Sequence, residues 1–388
     1  MKIYIINYQS IFDGKCANAL GQVLFEIAPR LSSSYRLYYG YVDRSYGGNV
    51  YGLPKIVRLV MRVSNRLSKI FRIPYYILRT LQEALCDYFY SGILKNETED
   101  YILITTMYSP RAVKVAKTNN KRTVLIAGNH NDNLYYDCVR KEKMRLRLNY
   151  SDVFDSSFRI SYYRRMLEDL DSVVVFSSIV AKYFPNTLNK TILDLPYSLN
   201  NYSTIARSYS HKEKFVIGYI GHTTLLKGIH LLGEAVAQSS YKDKIKIIIC
   251  GNIDDRILPL VNKYNLDISY LGFIKSEDKN DFFNSLHLLV VPSLYDAGPT
   301  TALEAAECEL PVIISSGCGV SELFDDYKID CVYTTRDVTE LRQRIENAVA
   351  NYPRVLNIAK KHRNMVLQLS NNMSSLENYI KDLMENCN

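Results

Sequence analysis

Two short stretches carry residues whose types and spacing could do chemistry. In the first, the β-branched and aromatic run 215–220 leads into Gly221, His222 and then Lys227-Gly228, ahead of a helical pattern that starts at Ile229. A glycine after a strand lets the backbone approach an anion, and the helix N-terminus beyond it offers N–H groups and the positive end of a dipole. Lys227 there suits a diphosphate, each charge-assisted hydrogen bond contributing roughly 1.5–3 kcal/mol. Taken alone, such a turn is more often only a tight turn. The second stretch, residues 292–305, follows the apolar run 288–291: Asp296 falls in a loop, Gly298-Pro299-Thr300 open the next helix, and Glu304 lies one turn further on. Glu304 can therefore face the same ligand as Thr300. Carboxylates accept hydrogen bonds from sugar and ribose hydroxyls while helix N–H groups hold phosphate, so the pair suits a sugar nucleotide. Dipole compensation would account for Asp296 by itself but not for the whole string.

A third stretch has a different character. Residues 53–81 hold seven basic residues and no acid. Lys55, Arg58, Arg62, Arg66 and Lys69 recur at helical spacing and form one stripe, with Ile56, Leu59, Val60, Val63, Leu67, Ile70 and Phe71 on the other side. A basic amphipathic helix of this kind suits the plane of an anionic membrane, at about 1 kcal/mol per basic residue near the surface. A solvated face on an ordinary packed helix is the plainer reading, but such faces usually mix in acidic residues.

The elements that must position these residues follow from the remaining pattern. The chain has 388 residues, which at roughly 100–200 residues per domain suggests two domains. With 47% hydrophobic and 23% charged residues, the composition excludes a disordered chain and a small disulfide scaffold. The net charge of +8 is uneven: residues 1–200 carry 28 basic and 17 acidic side chains, the remainder 20 and 23. A basic half can face phosphates, nucleic acid or a membrane. The 8 cysteines show no CxxC pair and no zinc spacing, which reads as free thiols in a reducing compartment. The opening residues 1–7 read as a buried strand, not a leader peptide, and no stretch reaches the ~20 apolar residues of a membrane span.

Short β-branched runs at 3–7, 37–42, 101–105, 123–127, 172–175 and 191–193 alternate with helical patterns such as 17–28 and 178–184. After a polar stretch, 200–214, read as a linker, the pattern restarts with runs at 215–220, 245–250, 268–271, 288–291, 312–314 and 331–333. Alternation of this kind predicts an α/β fold of two doubly wound, Rossmann-like domains facing a central cleft. The boundaries expected are 1–205, 206–365 and a C-terminal helical piece, 366–388.

Together these segments resemble the family 4 retaining glycosyltransferases, "glycosyl transferases group 1" in type, which have the GT-B fold. The family's Gly-Arg-x4-Lys-Gly turn corresponds to Gly221-His222-x4-Lys227-Gly228, its Glu-x7-Glu element to Asp296-x7-Glu304, and its Gly-Gly-x-x-Glu turn lies near Gly317–Glu322 in number. The likeness is close over 215–325 and looser in the first half. The resemblance implies a nucleotide-sugar donor, UDP- or GDP-linked, a hexose moved with retention, and no cofactor or metal. It further implies that Lys227 grips the diphosphate, Glu304 the ribose and Asp296 the donor sugar. Gly298, Pro299 and Thr300 would line the sugar and phosphate site, Gly272 and Phe273 would sit near the base, Gly14 would approach the phosphate, and His130 would reach the transferring sugar. The helix at 374–384 corresponds to the last helix that returns to the first domain.

Two departures bear on the donor. His222 replaces arginine, giving a pH-dependent phosphate partner, and Asp296 is one methylene shorter than glutamate. The basic helix adds the expectation of a lipid-linked or glycan acceptor at the inner face of the cytoplasmic membrane, as in envelope polysaccharide (lipopolysaccharide or capsule) synthesis. Rival readings are a non-catalytic scaffold, a nucleotide-sugar epimerase of the same fold and, least supported, a nucleic-acid binder, for which the 32 tyrosines provide no motif.

Overall fold

A computed structural model of the chain describes residues 2–12, 15–16, 19–31, 35–44, 46, 48–71, 73, 75–106, 108–128, 132–150, 157–369 and 373–385. It divides into two compact units, residues 1–196 with 373–388, and residues 197–372.

The first unit is built on β1 (Lys2–Phe12), β2 (Lys15–Cys16), β3 (Tyr35–Val42), β4 (Val50–Gly52), β5 (Tyr101–Thr105), β6 (Thr123–Ile126), β7 (Ser172–Val175) and β8 (Asn189–Ile192). They form one sheet in the order β4-β3-β1-β5-β6-β7-β8, with β2 paired antiparallel to β1 and every other pairing parallel. Helices cover such a sheet on both faces, so its central strands are apolar almost throughout: all five residues of β5 and all four of β6 are buried. Ile3, Ile5, Leu37, Ile102, Ile104 and Val124 lie in one core cluster. The helix Met373–Glu385 contributes Leu376, Ile380 and Leu383 to that cluster.

The second unit holds β9 (Phe215–Ile220), β10 (Ile245–Cys250), β11 (Ile268–Gly272), β12 (Leu288–Val291), β13 (Val312–Ser315) and β14 (Val332–Tyr333). Its order, β11-β10-β9-β12-β13-β14, all parallel, is the doubly wound arrangement in which chain direction switches between β9 and β12. Ligands of such sheets gather beyond the carboxyl ends of the strands at that switch.

The structure departs from the sequence reading at several points. The division falls at Pro196/Tyr197, ahead of the expected 205/206, and the polar stretch read as a linker is fixed to the second unit. Buried Glu307 accepts hydrogen bonds from Tyr197 Oη, Asn200 N and Tyr202 N at 3.0, 3.1 and 2.9 Å. Arg207 donates to the carbonyls of Leu286 and Cys308. The stretch 53–81 is two helices, Lys55–Ile70 and Tyr75–Lys95. β2 and β4 were not expected. Cys86, Cys138, Cys250, Cys308, Cys318 and Cys331 are free and buried.

Candidate active site

The carboxyl ends of β9 and β12 bring the two chemistry-bearing stretches together. Beyond β9 the chain passes Gly221 and His222 into a 3-10 turn, Leu225–Lys227. Gly228 follows with φ +71°, and a Cβ there would lie 1.9 Å from the Pro292 carbonyl oxygen. Only glycine allows both that backbone conformation and that approach. The turn is tied down again by Leu294 N–H, which donates to the Leu226 carbonyl at 2.8 Å. These constraints aim Lys227 at Asp296, with which it forms a hydrogen-bonded ion pair.

Asp296 is held by its backbone. Its N–H donates to the Gly317 carbonyl at 3.2 Å, and its own carbonyl accepts from Gly319 N–H at 2.7 Å. Its free Oδ1 accepts from Gly298 N–H at 3.4 Å. Buried Cys318 and Ser293 lie beside the pair; burial, then the Asp296 carboxylate, pushes the Cys318 thiol well above its ordinary range and keeps it protonated. Burial works to lower the Lys227 ammonium, but Asp296 more than offsets this and its pKa stands above the usual lysine value. The result is a permanently charged cation, its side chain about one-third exposed at 35%, at the switch point of the sheet.

His222 is exposed in the loop between β9 and the 3-10 turn. Burial of part of its ring, and then repulsion by Lys227, hold its pKa below the ordinary histidine value, so it is neutral at pH 7. Its carbonyl accepts from the buried Tyr219 hydroxyl at 2.7 Å. Pro299 precedes the helix Thr300–Glu307, so Gly298, Pro299 and Thr300 do stand at a helix N-terminus beside Asp296. Glu304, buried in the second turn, is already engaged: Lys279 Nζ donates to both of its oxygens at 3.0 and 2.8 Å.

A glycine edge completes the site. Gly221, Gly251 and Gly272 end the adjacent strands β9, β10 and β11 with φ of +152°, +117° and +69°. A Cβ at Gly251 would fall 2.1 Å from the Gly221 carbonyl oxygen. Ile253, Leu271 and Phe273 are exposed beside this edge, Phe273 at 78%. Thr223 laces the two loops, its Oγ1 accepting from Asp254 N–H at 2.6 Å. Sequence reasoning missed Gly251 and Lys279. The repeat of an apolar run ending in glycine, at 245–251 as at 215–221, signals the first; nothing local signals the second. His287 is part of the framework, its Nδ1 accepting from Val216 N–H at 2.9 Å and its ring stacked on Phe215.

Gly14 and His130 lie outside the described residues, as does the side chain of Lys69. Among the described residues no cluster of His, Cys, Asp and Glu could hold a metal ion.

The basic helix Lys55–Ile70 lies in the first unit with its faces unusually placed. Arg58, Arg62 and Asn65, at helical spacing, face Tyr8 and Tyr41 of the sheet. The apolar stripe points away from the protein: Ile56, Leu59, Val60, Val63, Leu67 and Ile70 are all exposed, from 43% to 71%, and Phe71 after them at 69%. Lys55 and Arg66 are exposed as well. No helix among the described residues is long and apolar enough to cross a membrane.

Residues 203–365 match the family model described as Glycosyl transferases group 1. An uncharacterized glycosyltransferase of Methanocaldococcus jannaschii, MJ1607, is 25% identical over 182 residues, 45% of this chain and 46% of that protein. The match thus spans about half the length of that curated relative. Among solved structures, WaaG, a glycosyltransferase involved in lipopolysaccharide biosynthesis, superposes with TM-score 0.67 at 14% identity, over 97% of this chain and 99% of its own. Anabaena Alr3699/HepE, solved with UDP and glucose, gives TM-score 0.63 at 16% identity over 100% of both chains. The fold is therefore that of the GT-B glycosyltransferases, and the match to the group 1 model lies within the second unit.

Proposed function

We propose that the chain is a glycosyltransferase that takes a hexose-type sugar from UDP- or GDP-sugar and passes it, with retention, to a lipid-linked or glycan acceptor. The observation that carries this reading is the Lys227–Asp296 pair at the β9/β12 switch point, inside the region that matches glycosyl transferases group 1. A solved neighbour that holds UDP and glucose supports the donor class.

In the reaction the bond between the anomeric carbon and the diphosphate breaks, and an acceptor hydroxyl bonds to the same face of that carbon. Its proton passes to the departing diphosphate. Negative charge grows on the diphosphate, so Lys227 and the N–H groups ahead of Thr300 would stabilise it most as the bond breaks. Asp296 would orient Lys227 and accept from sugar hydroxyls; Glu304 would accept from the ribose once Lys279 yields an oxygen. Gly221, Gly251 and Gly272 would give the nucleoside room, with Phe273 against the base. His130 and Gly14 complete the proposed set from the first unit.

The exposed apolar stripe of helix Lys55–Ile70, flanked by basic residues, supports peripheral attachment to the inner face of an anionic cytoplasmic membrane. Such attachment fits assembly of envelope polysaccharide such as lipopolysaccharide or capsule, the process in which the neighbour WaaG takes part.

Nucleoside diphosphate release from a panel of UDP-, GDP- and ADP-sugars, with and without membrane lipid extract, tests the reading. One donor should turn over, and Lys227→Ala should abolish it. A second reading, a donor-binding scaffold without turnover, is favoured by the occupation of Glu304 by Lys279. Binding of a nucleotide sugar without release of diphosphate would establish it, and release by Lys227→Ala at the wild-type rate would overturn the site assignment.

A further inference from the structure

The first unit holds a pocket of about 470 Å³ where the carboxyl ends of β1 and β3 meet the basic helix. Tyr8, Tyr41, Arg58, Arg62, Asn65 and Gln82 line it, and among the described residues no carboxylate does. That volume falls within the range of small-molecule sites. Its polar groups are organised: Tyr8 Oη donates to Gln82 Oε1 at 2.8 Å, and Gln82 Nε2 donates to Asn65 Oδ1 at 3.0 Å. The Arg58 guanidinium lies over the Tyr41 ring, 5.1 Å from its centroid. Its Nε is buried with no hydrogen-bond partner among the described residues.

A desolvated guanidinium nitrogen without an acceptor is costly, and a second arginine one turn away adds charge that no described lining residue balances. Glu83, next to Gln82 in the chain, is bound by Arg79 Nε at 2.7 Å and faced by Arg159. What satisfies both arginines is a multidentate anion, and the planar fork of arginine matches phosphate. Arg58 and Arg62 share their helix with the exposed apolar stripe, so an anion held here could belong to a molecule whose hydrocarbon lies along Leu59, Val63 and Leu67.

We propose that this pocket binds the phosphate or diphosphate group of the acceptor, making the acceptor a phosphorylated one. Only the word acceptor rests on the transferase reading; the anion site stands on the pocket itself. The phosphate can be lipid-borne or soluble.

The full chain carrying Lys227→Ala, so that the donor site contributes nothing, is titrated with two probes: phosphatidylcholine vesicles containing a polyprenyl phosphate, and free inorganic diphosphate. Arg58→Gln with Arg62→Gln is compared with Lys55→Gln with Arg66→Gln, which removes equal charge from the same stripe at residues that do not line the pocket. The pocket pair should lose about tenfold or more in affinity for at least one probe, and the exposed pair less than about threefold. Loss on vesicles alone assigns a lipid-borne phosphate, and loss on diphosphate a soluble one as well. Arg58→Lys with Arg62→Lys, which keeps charge and fold but not the fork, should bind between the two. Equal losses from both pairs, or no binding of either probe, would overturn the proposal. Because no donor or turnover enters the titration, failure of diphosphate release in the transferase assay is a separate result.

Discussion

Lys279 spans both carboxylate oxygens of Glu304, at 3.0 and 2.8 Å. Glu304 is therefore a structural partner as well as the proposed ribose ligand, and the two roles separate by substitution. Lys279→Met leaves a nearly buried carboxylate unpaired and should destabilise the second unit by about 1–3 kcal/mol, less than a fully buried pair because the lysine is partly exposed. Adding Glu304→Gln should restore most of that stability in thermal unfolding while leaving UDP-sugar affinity low. A double variant that binds donor as wild type does would remove Glu304 from the site.

Donor affinity should depend on pH through His222. Partial burial and Lys227 hold its pKa below the ordinary value, so the free protein carries it neutral at pH 7. A diphosphate beside it favours the charged form, so proton uptake accompanies binding and affinity rises as pH falls. Titrating a nucleotide sugar, whose diphosphate diester keeps its charge, from pH 7.5 to 5.5 should show a rise of up to about tenfold. His222→Arg should be tight and flat across the same range. Parallel curves for the two proteins would show that residue 222 does not touch the phosphate.

Two glycines of equal φ should differ in their tolerance. Gly228 and Gly272 stand at +71° and +69°, yet a Cβ at Gly228 meets the Pro292 carbonyl and one at Gly272 meets nothing within 4 Å. Gly272→Ala should cost about 1 kcal/mol, the conformational strain alone. Gly228→Ala should cost about 3 kcal/mol or more and weaken donor binding, because it moves Lys227. Urea unfolding of the two variants compares them directly.

Stability in acid should be limited by His362, buried against the rings of Phe324 and Tyr327. Burial takes its pKa down to about 4, with Asp326 pulling the other way. In the unfolded chain the value is about 6.5, so the unfolded state binds the extra proton first. This histidine's contribution is complete above about pH 6.5 and is lost as pH falls towards 4, amounting to about 3 kcal/mol. His362→Leu should flatten the stability profile between pH 7 and 4.5 by a corresponding amount, read from urea unfolding at each pH.

The exposed stripe of helix Lys55–Ile70 should govern membrane attachment without affecting the fold. Leu59→Asn, Val63→Asn and Leu67→Asn together should leave stability within about 0.5 kcal/mol, since all three side chains are solvent-facing. Sedimentation with anionic vesicles should fall by roughly tenfold for each leucine removed. Unchanged sedimentation, with a halved molecular mass in solution, would mean that a second copy covers the stripe.

The central strands were legible because strands buried on both faces are nearly continuous apolar runs: 215–220, 245–250 and 288–291 agree with β9, β10 and β12 residue for residue. β4, three residues at the sheet edge, and β2, two residues, are too short to leave a period. Composition misjudged 200–214, whose polar residues look like a linker but are held by Glu307 and by the carbonyls that Arg207 reaches. Periodicity marked two faces on the basic helix but not which face meets the protein; that depends on the sheet beneath it. Lys227 and Asp296 were each marked by their own turn, but not the ion pair that joins them, and Lys279 reaches Glu304 only through the folding of the loop and helix between them.

The helix Met373–Glu385 supplies Leu376, Ile380 and Leu383 to the core that β1 begins. During synthesis, then, the first half of the chain must wait: its core lacks a wall until residue 383 has left the ribosome. The second unit, continuous from 197 to 372, has no such delay. The usual order of domain folding is thus reversed, with the later-made unit able to finish first. Clipping the chain near residue 370 would leave the second unit whole while opening the hydrophobic centre of the unit made before it.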